Sequence, residues 1–379
     1  MEKEYRRIGI LGGGQLAKMS AYYAFRLGFD ISILEKNLNS PAGMMTKNDF
    51  EGWVNDDKIM GEFASSCDII TLESEFIDSN RLLFLENLGK VVLPSSKTIA
   101  LIQDKFIQKS ILKAANLPLP EFVEVNSIAE FSMTAEKLGL PFVLKSKKLG
   151  YDGYGNAVIY NENDFIESYD KLIKRHNSLY AEKFVNFTKE LAVLVVKNSY
   201  QTITYPIVET IQENNICKKV IAPAAIDEKI IDEANKIAIK SINAVNGHGI
   251  FAVEMFLTTD NKILINELAP RPHNSGHYTM DACVTSQFEN HVRAVLDLPL
   301  GDTSLIKPYA VMINLLGKKN GKGNLENYSD VLKEPDLHLH IYAKEDSRMG
   351  RKMGHITITG NNLDDILNRA EKIEKIAMI

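Results

Sequence analysis

Apolar residues at 8–11 form a short run that ends at Gly12, Gly13 and Gly14. From Gln15 onward, Leu16, Met19, Tyr23 and Leu27 recur at the spacing of an amphipathic helix, and Gly28 stands where a C-terminal cap belongs. A second apolar run at 29–34 ends at Glu35, and strand-like runs recur at 67–72 and 90–93 with a helical stretch between them. This alternation predicts a parallel sheet over roughly the first hundred residues. Ser95 or Ser96 can cap a helix over 97–116, which Pro118 and Pro120 stop.

Beyond Pro120 the pattern changes to α+β. Strands are expected at 121–125 and 180–185, helices at 127–138 and 163–176, and two strands within 141–160 around a glycine-rich loop. Strongly strand-like runs follow at 191–197, 202–208 and 249–267, with helices at 227–245 and 282–296. From 308 onward short strands precede a final helix over 363–377. Neither an internal repeat nor a low-complexity tract interrupts this order.

The chain has 379 residues, enough for two or three domains with separate cores. Its 45% hydrophobic and 25% charged residues are an ordinary globular balance, which excludes a disordered chain. A net charge of −5 argues against a nucleic-acid partner, so any bound anion is gripped by a local cluster. Cys67, Cys217 and Cys283 are too scattered for a disulfide scaffold or a cysteine zinc site. No apolar run reaches membrane-spanning length, and the charged start MEKEYRR lacks the apolar core of a signal peptide. A cytoplasmic enzyme with no membrane partner is the expectation.

The segment 249–277 carries the sharpest chemical signal. Residues 249–257 and 262–268 read as two strands turning at Asp260 and Asn261. With a two-residue loop, paired positions sum to 521, which places Glu254 opposite Glu267. Opposed side chains on one face lie about 5 Å apart, where two carboxylates repel. A four-residue loop shifts the register but leaves both on one face. A divalent cation resolves the repulsion, and hard Mg²⁺ favours carboxylate oxygens plus substrate phosphates. Asn266 falls on the other face unless the strand ends or bulges there. A single carboxylate would more simply meet solvent or a lysine. The pair, followed by Arg271, His273, Asn274 and His277, points to metal and anion chemistry. The histidines could suggest zinc, but no H-E-x-x-H signature is present and Pro272 opposes a helix.

Two glycine loops add to this. In 145–156, Lys145, Lys147 and Lys148 precede Gly150, Gly153 and Gly155, so backbone N–H groups and a lysine charge can close on phosphates. The loop joins two strands, which excludes a Walker A loop; a plain flexible turn is the bland alternative. The run from Gly12 to Ala17 matches G-x-G-x-x-A, and Glu35 ends the next strand, as in a dinucleotide fold. An NAD-dependent oxidoreductase is therefore the runner-up, although the same helix N-terminus could hold another ligand's phosphate. An ATP-dependent, Mg²⁺-requiring ligase explains all three features.

Together GILGGGQLAKM (9–19), PSSKTIALIQDK (94–105), KSKKLGYDGYGN (145–156), EKFV (182–185), GIFAVEMF (249–256), INELAPRPHNSGHYTMDA (265–282) and RKMGH (351–355) resemble the N5-carboxyaminoimidazole ribonucleotide synthetase family. The resemblance spans nearly the whole chain. It implies an α/β and α+β ATP-grasp fold: a Rossmann-like domain at 1–100, an ATP-grasp domain at 101–300 with a lid at about 118–185, and a small C-terminal domain at 301–379. It also implies ATP- and bicarbonate-dependent carboxylation of 5-aminoimidazole ribonucleotide through carboxyphosphate, in purine biosynthesis, by a homodimer. Another ATP-grasp carboxylate–amine ligase is the nearest alternative, and a catalytically weak nucleotide-binding relative a further one.

Carried over by motif, Lys105, Lys145 and the loop Gly150, Tyr151, Asp152, Gly153, Tyr154, Gly155 and Asn156 would hold the ATP phosphates. Glu182, Lys183, Phe184 and Val185 match the adenine hinge, and Glu190 the ribose ligand. Glu254 and Glu267, with Asn266, match the magnesium ligands. Tyr151, Asp152, Arg271, His273 and Asn274 fall around bicarbonate and the amine. Gln15, Lys344, Arg351 and Lys352 would receive the ribonucleotide, although by charge alone the last three read as a solvated surface. The chain departs from the family pattern at Tyr154 (usually Arg or Lys), at Leu149 and Ala343 (usually Gly) and at 73–76, ESEF for E-F-E-N. Lys147 or Lys148 could replace the charge missing at Tyr154.

Overall fold

The computed structural model describes residues 6–150, 155–174 and 178–379. The first sheet is parallel and five-stranded, in the order Asn48–Glu51, Asp30–Glu35, Arg7–Leu11, Ile69–Leu72, Val91–Val92. The helix Gln15–Arg26 lays Ala17, Ala21 and Ala24 on this sheet, and the same core includes Val292 and Val295 of the helix Gln287–Val295. Small side chains let the helix lie close, so the first domain and the central body share one apolar core. Gly28 ends the helix at φ 85°, as its position implies. The strand Asn48–Glu51 and the helix Asp57–Ser65 complete the unit without having been marked by apolar runs.

The run expected as one helix over 97–116 is two, Ser96–Gln103 and Lys105–Ala114. Ser95 caps the first, accepting from Thr98 N–H at 3.2 Å. Asp104 is extended, and its Oδ1 accepts from Phe106 and Ile107 N–H at 3.0 and 3.1 Å. A good capping residue in mid-run thus starts a new helix. Lys105 opens it, and Lys109, one turn on, shares its face. The helix expected over 282–296 starts later, as Gln287–Val295 with Ser286 as its cap, and a separate turn of helix, Thr279–Ala282, precedes it.

The second sheet is four-stranded and antiparallel, Phe122–Val125, Leu179–Lys183, Phe142–Ser146, Asn156–Ile159, backed by the helices Phe131–Leu138 and Glu162–Ile173. Its own core is built on Phe142, Leu144, Phe165 and Leu179.

A nine-stranded sheet forms the body, along the path Ile263–Ala269, Gly249–Thr258, Phe187–Lys197, Val208–Glu213, Ile216–Ala222, Tyr309–Leu316, Lys352–Gly360, Leu337–Ile341, with Thr202–Thr204 beside Phe187–Lys197. The C-terminal region therefore does not stand on a separate sheet: Tyr309–Leu316 pairs with Ile216–Ala222, Lys219 opposite Ile313 and Ile221 opposite Val311. One face buries Leu191, Val193, Val253 and Met255 in the same core as Ala234 and Ile242 of the helix Glu228–Ala244. The other buries Ala192, Leu194, Ile250 and Ala252 with Tyr278 and Ala294. Each fully buried Leu or Val contributes about 1.5–3 kcal/mol, so a one-residue slip is strongly opposed. Period-two alternation then projects Glu190 and Glu254 onto the second face, at its polar end.

Candidate active site

The hairpin turn differs from the expected one and still delivers the expected pair. Leu257 opposes Ile263, Phe256 opposes Leu264 and Met255 opposes Ile265, a register of 520 set by a three-residue loop with Asn261 at φ 60°. A one-residue bulge then falls between Met255 and Glu254, leaving Asn266 unpaired, and Glu254 opposes Glu267. The bulge brings Asn266 Nδ2 to 3.4 Å from Glu254 Oε2, so amide and carboxylates share a face. Burial, followed by the charges of Glu267 and Glu190, pushes the Glu254 carboxyl up to about 8, against the pull of Lys105 and Lys352. Two carboxylates and an amide oxygen form a hard-oxygen donor set, and the strain of their like charge is what Mg²⁺ would relieve.

A cation from the helix Lys105–Ala114 faces this group. Lys105 Nζ lies 3.0 Å from Glu267 Oε2, and its backbone N–H donates to the Lys147 carbonyl at 2.7 Å. Burial lowers the Lys105 ammonium, but Glu267 and Glu75 more than reverse this, so its charge is secure. On the four-stranded sheet, Lys145 Nζ lies 2.9 Å from Glu182 Oε2. Buried Gln108 holds the hairpin edge, accepting from Leu268 N–H at 3.0 Å and donating to its carbonyl at 3.2 Å.

Glu182 and Lys183 end the strand Leu179–Lys183, and half-buried Phe184 and Val185 lead into Phe187–Lys197. Glu182 is buried, Lys183 exposed, and Lys183 N–H donates to the Glu121 carbonyl at 2.8 Å. Burial raises the Glu190 carboxyl, with a hydrogen bond from Gln212 opposing it. In the glycine loop, Ser146 N–H donates to the Gly155 carbonyl at 2.7 Å, and a Cβ on Gly155 would come within 3.2 Å of Gly150 Cα. Asn156 opens the returning strand opposite Lys145. Tyr151, Asp152, Gly153 and Tyr154 lie outside the described residues. Lys147 is committed to Glu124 and lies over the Phe106 ring, so it is not free to replace a charge at Tyr154.

Past the hairpin, Arg271 forks onto Glu75, Nε to Oε2 and Nη2 to Oε1 at 3.1 Å, joining the body to the first domain. Burial alone would raise Glu75; the Arg271 guanidinium outweighs it and holds the carboxyl at about 2. His273 Nδ1 accepts from Ser275 N–H at 3.3 Å, which leaves the proton on Nε2, 3.2 Å from Glu254 Oε1. Burial, with Arg271 and Lys352 adding, lowers His273 to about 3, so it is neutral. Asn274 exchanges amide hydrogen bonds with Asn314 at 2.9 and 2.6 Å, which ties the loop to the C-terminal strand.

Gln15 opens its helix beside the C-terminal segment: Lys18 Nζ donates to the Ile341 carbonyl at 3.0 Å, and Met19 and Tyr23 pack with Tyr342. Lys344 Nζ donates to the Lys352 carbonyl at 2.6 Å, and exposed Arg351 donates to the Asp346 carbonyl at 2.7 Å. Lys352 is felt electrostatically by both Glu254 and His273, which brings this one residue of the basic segment near the hairpin carboxylates.

The dinucleotide reading fails here. Gly14 and Ala17 N–H donate to Glu73 at 2.7 and 3.0 Å, and Gly13 N–H donates to Glu35 at 2.9 Å. The chain's own carboxylates occupy the helix N-terminus where a pyrophosphate would sit. Zinc is no better served. Asp281, His340 and His355 present ligand atoms within 4.8 Å of one another, but the two rings stack at 4.5 Å with 15° between planes. Stacked rings cannot both aim an in-plane lone pair at one ion.

Three residues around the site were not singled out by motif: Gln108, Lys109 and Asn314. Lys109 had a signal, a lysine four residues after Lys105 on an amphipathic helix; Asn314 had none within its own strand.

Residues 5–103 match the ribonucleotide synthetase preATP-grasp domain, 110–288 the ATP-grasp domain and 310–369 the phosphoribosylaminoimidazole carboxylase C-terminal domain. The chain is 42% identical over 376 residues to phosphoribosylaminoimidazole carboxylase of Ogataea methanolica, covering 97% of this chain and 69% of that one. It is 40% identical over 352 residues to N5-carboxyaminoimidazole ribonucleotide synthase of Bacillus subtilis, covering 92% and 90%. The chain spans about two thirds of the length of the eukaryotic carboxylases it matches. The crystal structure of N5-carboxyaminoimidazole synthase from Aspergillus clavatus with ADP and 5-aminoimidazole ribonucleotide superposes with a TM-score of 0.90 at 36% identity, covering 98% of each chain. Fold and site together define an ATP-grasp enzyme, of the ATP-dependent carbon–nitrogen ligases. Within that class, the chain belongs to the N5-carboxyaminoimidazole ribonucleotide synthetase family. No helix among the described residues is long and apolar enough to cross a membrane.

Proposed function

We propose that this chain carboxylates 5-aminoimidazole ribonucleotide on its exocyclic amine, using ATP and bicarbonate. The observation that carries the reading is the shared face of Glu254, Glu267 and Asn266, with Lys105 at 3.0 Å from Glu267. Mg²⁺ held by Glu254, Glu267 and Asn266 would neutralise phosphate charge and orient the γ-phosphate. Lys105 and Lys145 supply fixed positive charge to the β- and γ-phosphates, Glu182 to Val185 frame the adenine, and Glu190 meets the ribose. Bicarbonate attacks the γ-phosphorus, ADP leaves, and the resulting carboxyphosphate releases CO₂ and phosphate beside the amine, which takes up the CO₂ and loses a proton.

Arg271, neutralised by Glu75, and neutral His273 border the bicarbonate site. Asn274, committed to Asn314, holds that loop in place and so has a positioning part. Tyr151 and Asp152 are assigned by motif alone, as are Gly153 and Tyr154 on the phosphates. Gln15, Lys344, Arg351 and Lys352 receive the ribonucleotide, with its phosphate on the basic residues. A homodimer is part of the same proposal, to be checked by sedimentation. A coupled ADP-release assay tests the reaction: release requires ATP, Mg²⁺, bicarbonate and the aminoimidazole ribonucleotide together. Release with formate and glycinamide ribonucleotide instead would move the chain to a sister ligase.

A further inference from the structure

Buried Glu182 holds two lysines at once, one on each oxygen. Lys145 Nζ stands 2.9 Å from Oε2 and Lys109 Nζ 3.0 Å from Oε1. The two lysines differ in freedom. Lys145 sits at the mouth of the glycine loop with its side chain 20% exposed. Lys109 is 1% exposed and is pinned from the far side, where its ammonium donates to the Asn266 carbonyl at 2.9 Å. The ammonium thus bridges the Glu182 carboxylate on one side and the Asn266 carbonyl on the other.

This arrangement bears on how Lys145 reaches a nucleotide. To serve the phosphates, its ammonium must loosen its hold on Glu182. A buried carboxylate left with no partner is costly, so a lone Glu182–Lys145 pair would resist separation. A second, fixed cation removes that obstacle. We propose that Lys109 is a positioning residue, the permanent counter-charge that keeps Glu182 in place when Lys145 moves to the phosphates, and the strut that ties this exchange to the metal-bearing hairpin through Asn266. The proposal rests on the assignment of Lys145 to the phosphates. A single side chain thereby joins three elements of the nucleotide site: the helix Lys105–Ala114, the lid strand Leu179–Lys183 and the strand Ile263–Ala269. Burial would raise Glu182, but Lys109 and Lys145 outweigh it and hold the carboxyl at about 2. At Lys109 burial outweighs the pull of Glu182 and lowers the ammonium from its ordinary value, so the charge there rests on the two contacts, to Glu182 and to the Asn266 carbonyl.

The test is a double-mutant cycle read on substrate KM values in the coupled ADP assay. Lys109→Met is expected to raise the KM for ATP about tenfold or more while the KM for the ribonucleotide stays within about twofold. Adding Glu182→Gln to Lys109→Met is expected to recover most of that loss, because neither charge then needs the other. A Lys109→Met enzyme with unchanged ATP KM, with equal losses for every substrate, or with a loss the second change leaves intact, overturns the proposal. Should Lys109→Met alone not fold, the Lys109→Met/Glu182→Gln and Glu182→Gln proteins are compared. ATP KM values within about threefold support the proposal, and a further rise of about tenfold overturns it. Lys145→Met serves as the separate control: if it leaves the ATP KM unchanged, the assignment of Lys145 fails, whatever Lys109 does.

Discussion

Asn266 Nδ2 stands 3.4 Å from Glu254 Oε2 because a one-residue bulge turns it onto the face that Glu254 and Glu267 already share. The crowding has a consequence for pH. Glu254 is pushed from 4.5 to about 8, so the native state keeps a proton that the unfolded chain has released. Its contribution to stability is complete below about pH 4.5 and is lost as pH rises through about 8. Thermal melting of the ligand-free protein between about pH 5 and 9 is expected to show a midpoint that falls with pH, and Glu254→Gln is expected to flatten the fall. On the proposed magnesium assignment, the same variant is also expected to abolish ADP release. Identical pH slopes in parent and variant would show that the pair does not carry the proton.

Asp104 controls where Lys105 points. Its carboxylate caps the helix Lys105–Ala114 through Phe106 and Ile107 N–H. Asp104→Ala is expected to cost about 0.5–2 kcal/mol by losing the cap. Because Lys105 is the first residue of that helix and meets Glu267 at 3.0 Å, the KM for ATP rises as well. Denaturant melts and ATP titration in the steady-state assay check the two parts. A stability loss with ATP KM unchanged would separate the cap from the site.

The pattern of the chain made much of this visible, and its omissions have physical causes. Runs buried on both faces, such as Leu191 to Val196, are legible because every position is apolar. The hairpin Val208–Glu213 and Ile216–Ala222 is not, because half its positions line the polar end of the sheet and stay partly exposed. Its turn was readable: Asn214 and Asn215, at φ 52° and 62°, are what a two-residue hairpin loop requires. Within the site, the Glu254–Glu267 pair follows from alternation alone, although the two-residue loop used to derive it is really three residues plus a bulge. The Asp104 break is a contest between a cap and a continuing helix, which apolar periodicity cannot decide. Contacts such as Glu75 with Arg271, and Asn274 with Asn314, join distant segments and leave no mark on either.

Both positions at which the resemblance leads one to expect glycine carry a backbone cost. Leu149 and Ala343 adopt φ 60° and 59°, the left-handed region that opposes a Cβ. Such a residue costs about 1–2 kcal/mol, offset by about 0.5–1 kcal/mol from the greater unfolded freedom of glycine. Ala343→Gly is therefore expected to stabilise the protein by a few tenths to about 1 kcal/mol. Thermal or denaturant melting measures it, and a destabilised variant would show that the methyl group of Ala343 is held by packing.

The bond between Arg271 and Glu75 is the clearest link between the first domain and the catalytic body, and it is expected to be acid-sensitive in a defined direction. Glu75 has its carboxyl held at about 2, below its usual 4.5, because the Arg271 guanidinium outweighs burial. Its stabilisation is present above about pH 4.5 and is lost as pH falls toward 2. Arg271→Met leaves this buried carboxylate with only the charge of Lys105 to answer it and is expected to cost about 3–5 kcal/mol at pH 7. As the pH falls Glu75 of the variant takes up a proton, so the gap between parent and variant narrows. Arg271→Lys keeps the charge but cannot reproduce the fork, and falls between the two. Denaturant unfolding of all three proteins at neutral and acid pH decides it, since a gap that stays constant with pH would mean that packing, not charge, joins these domains.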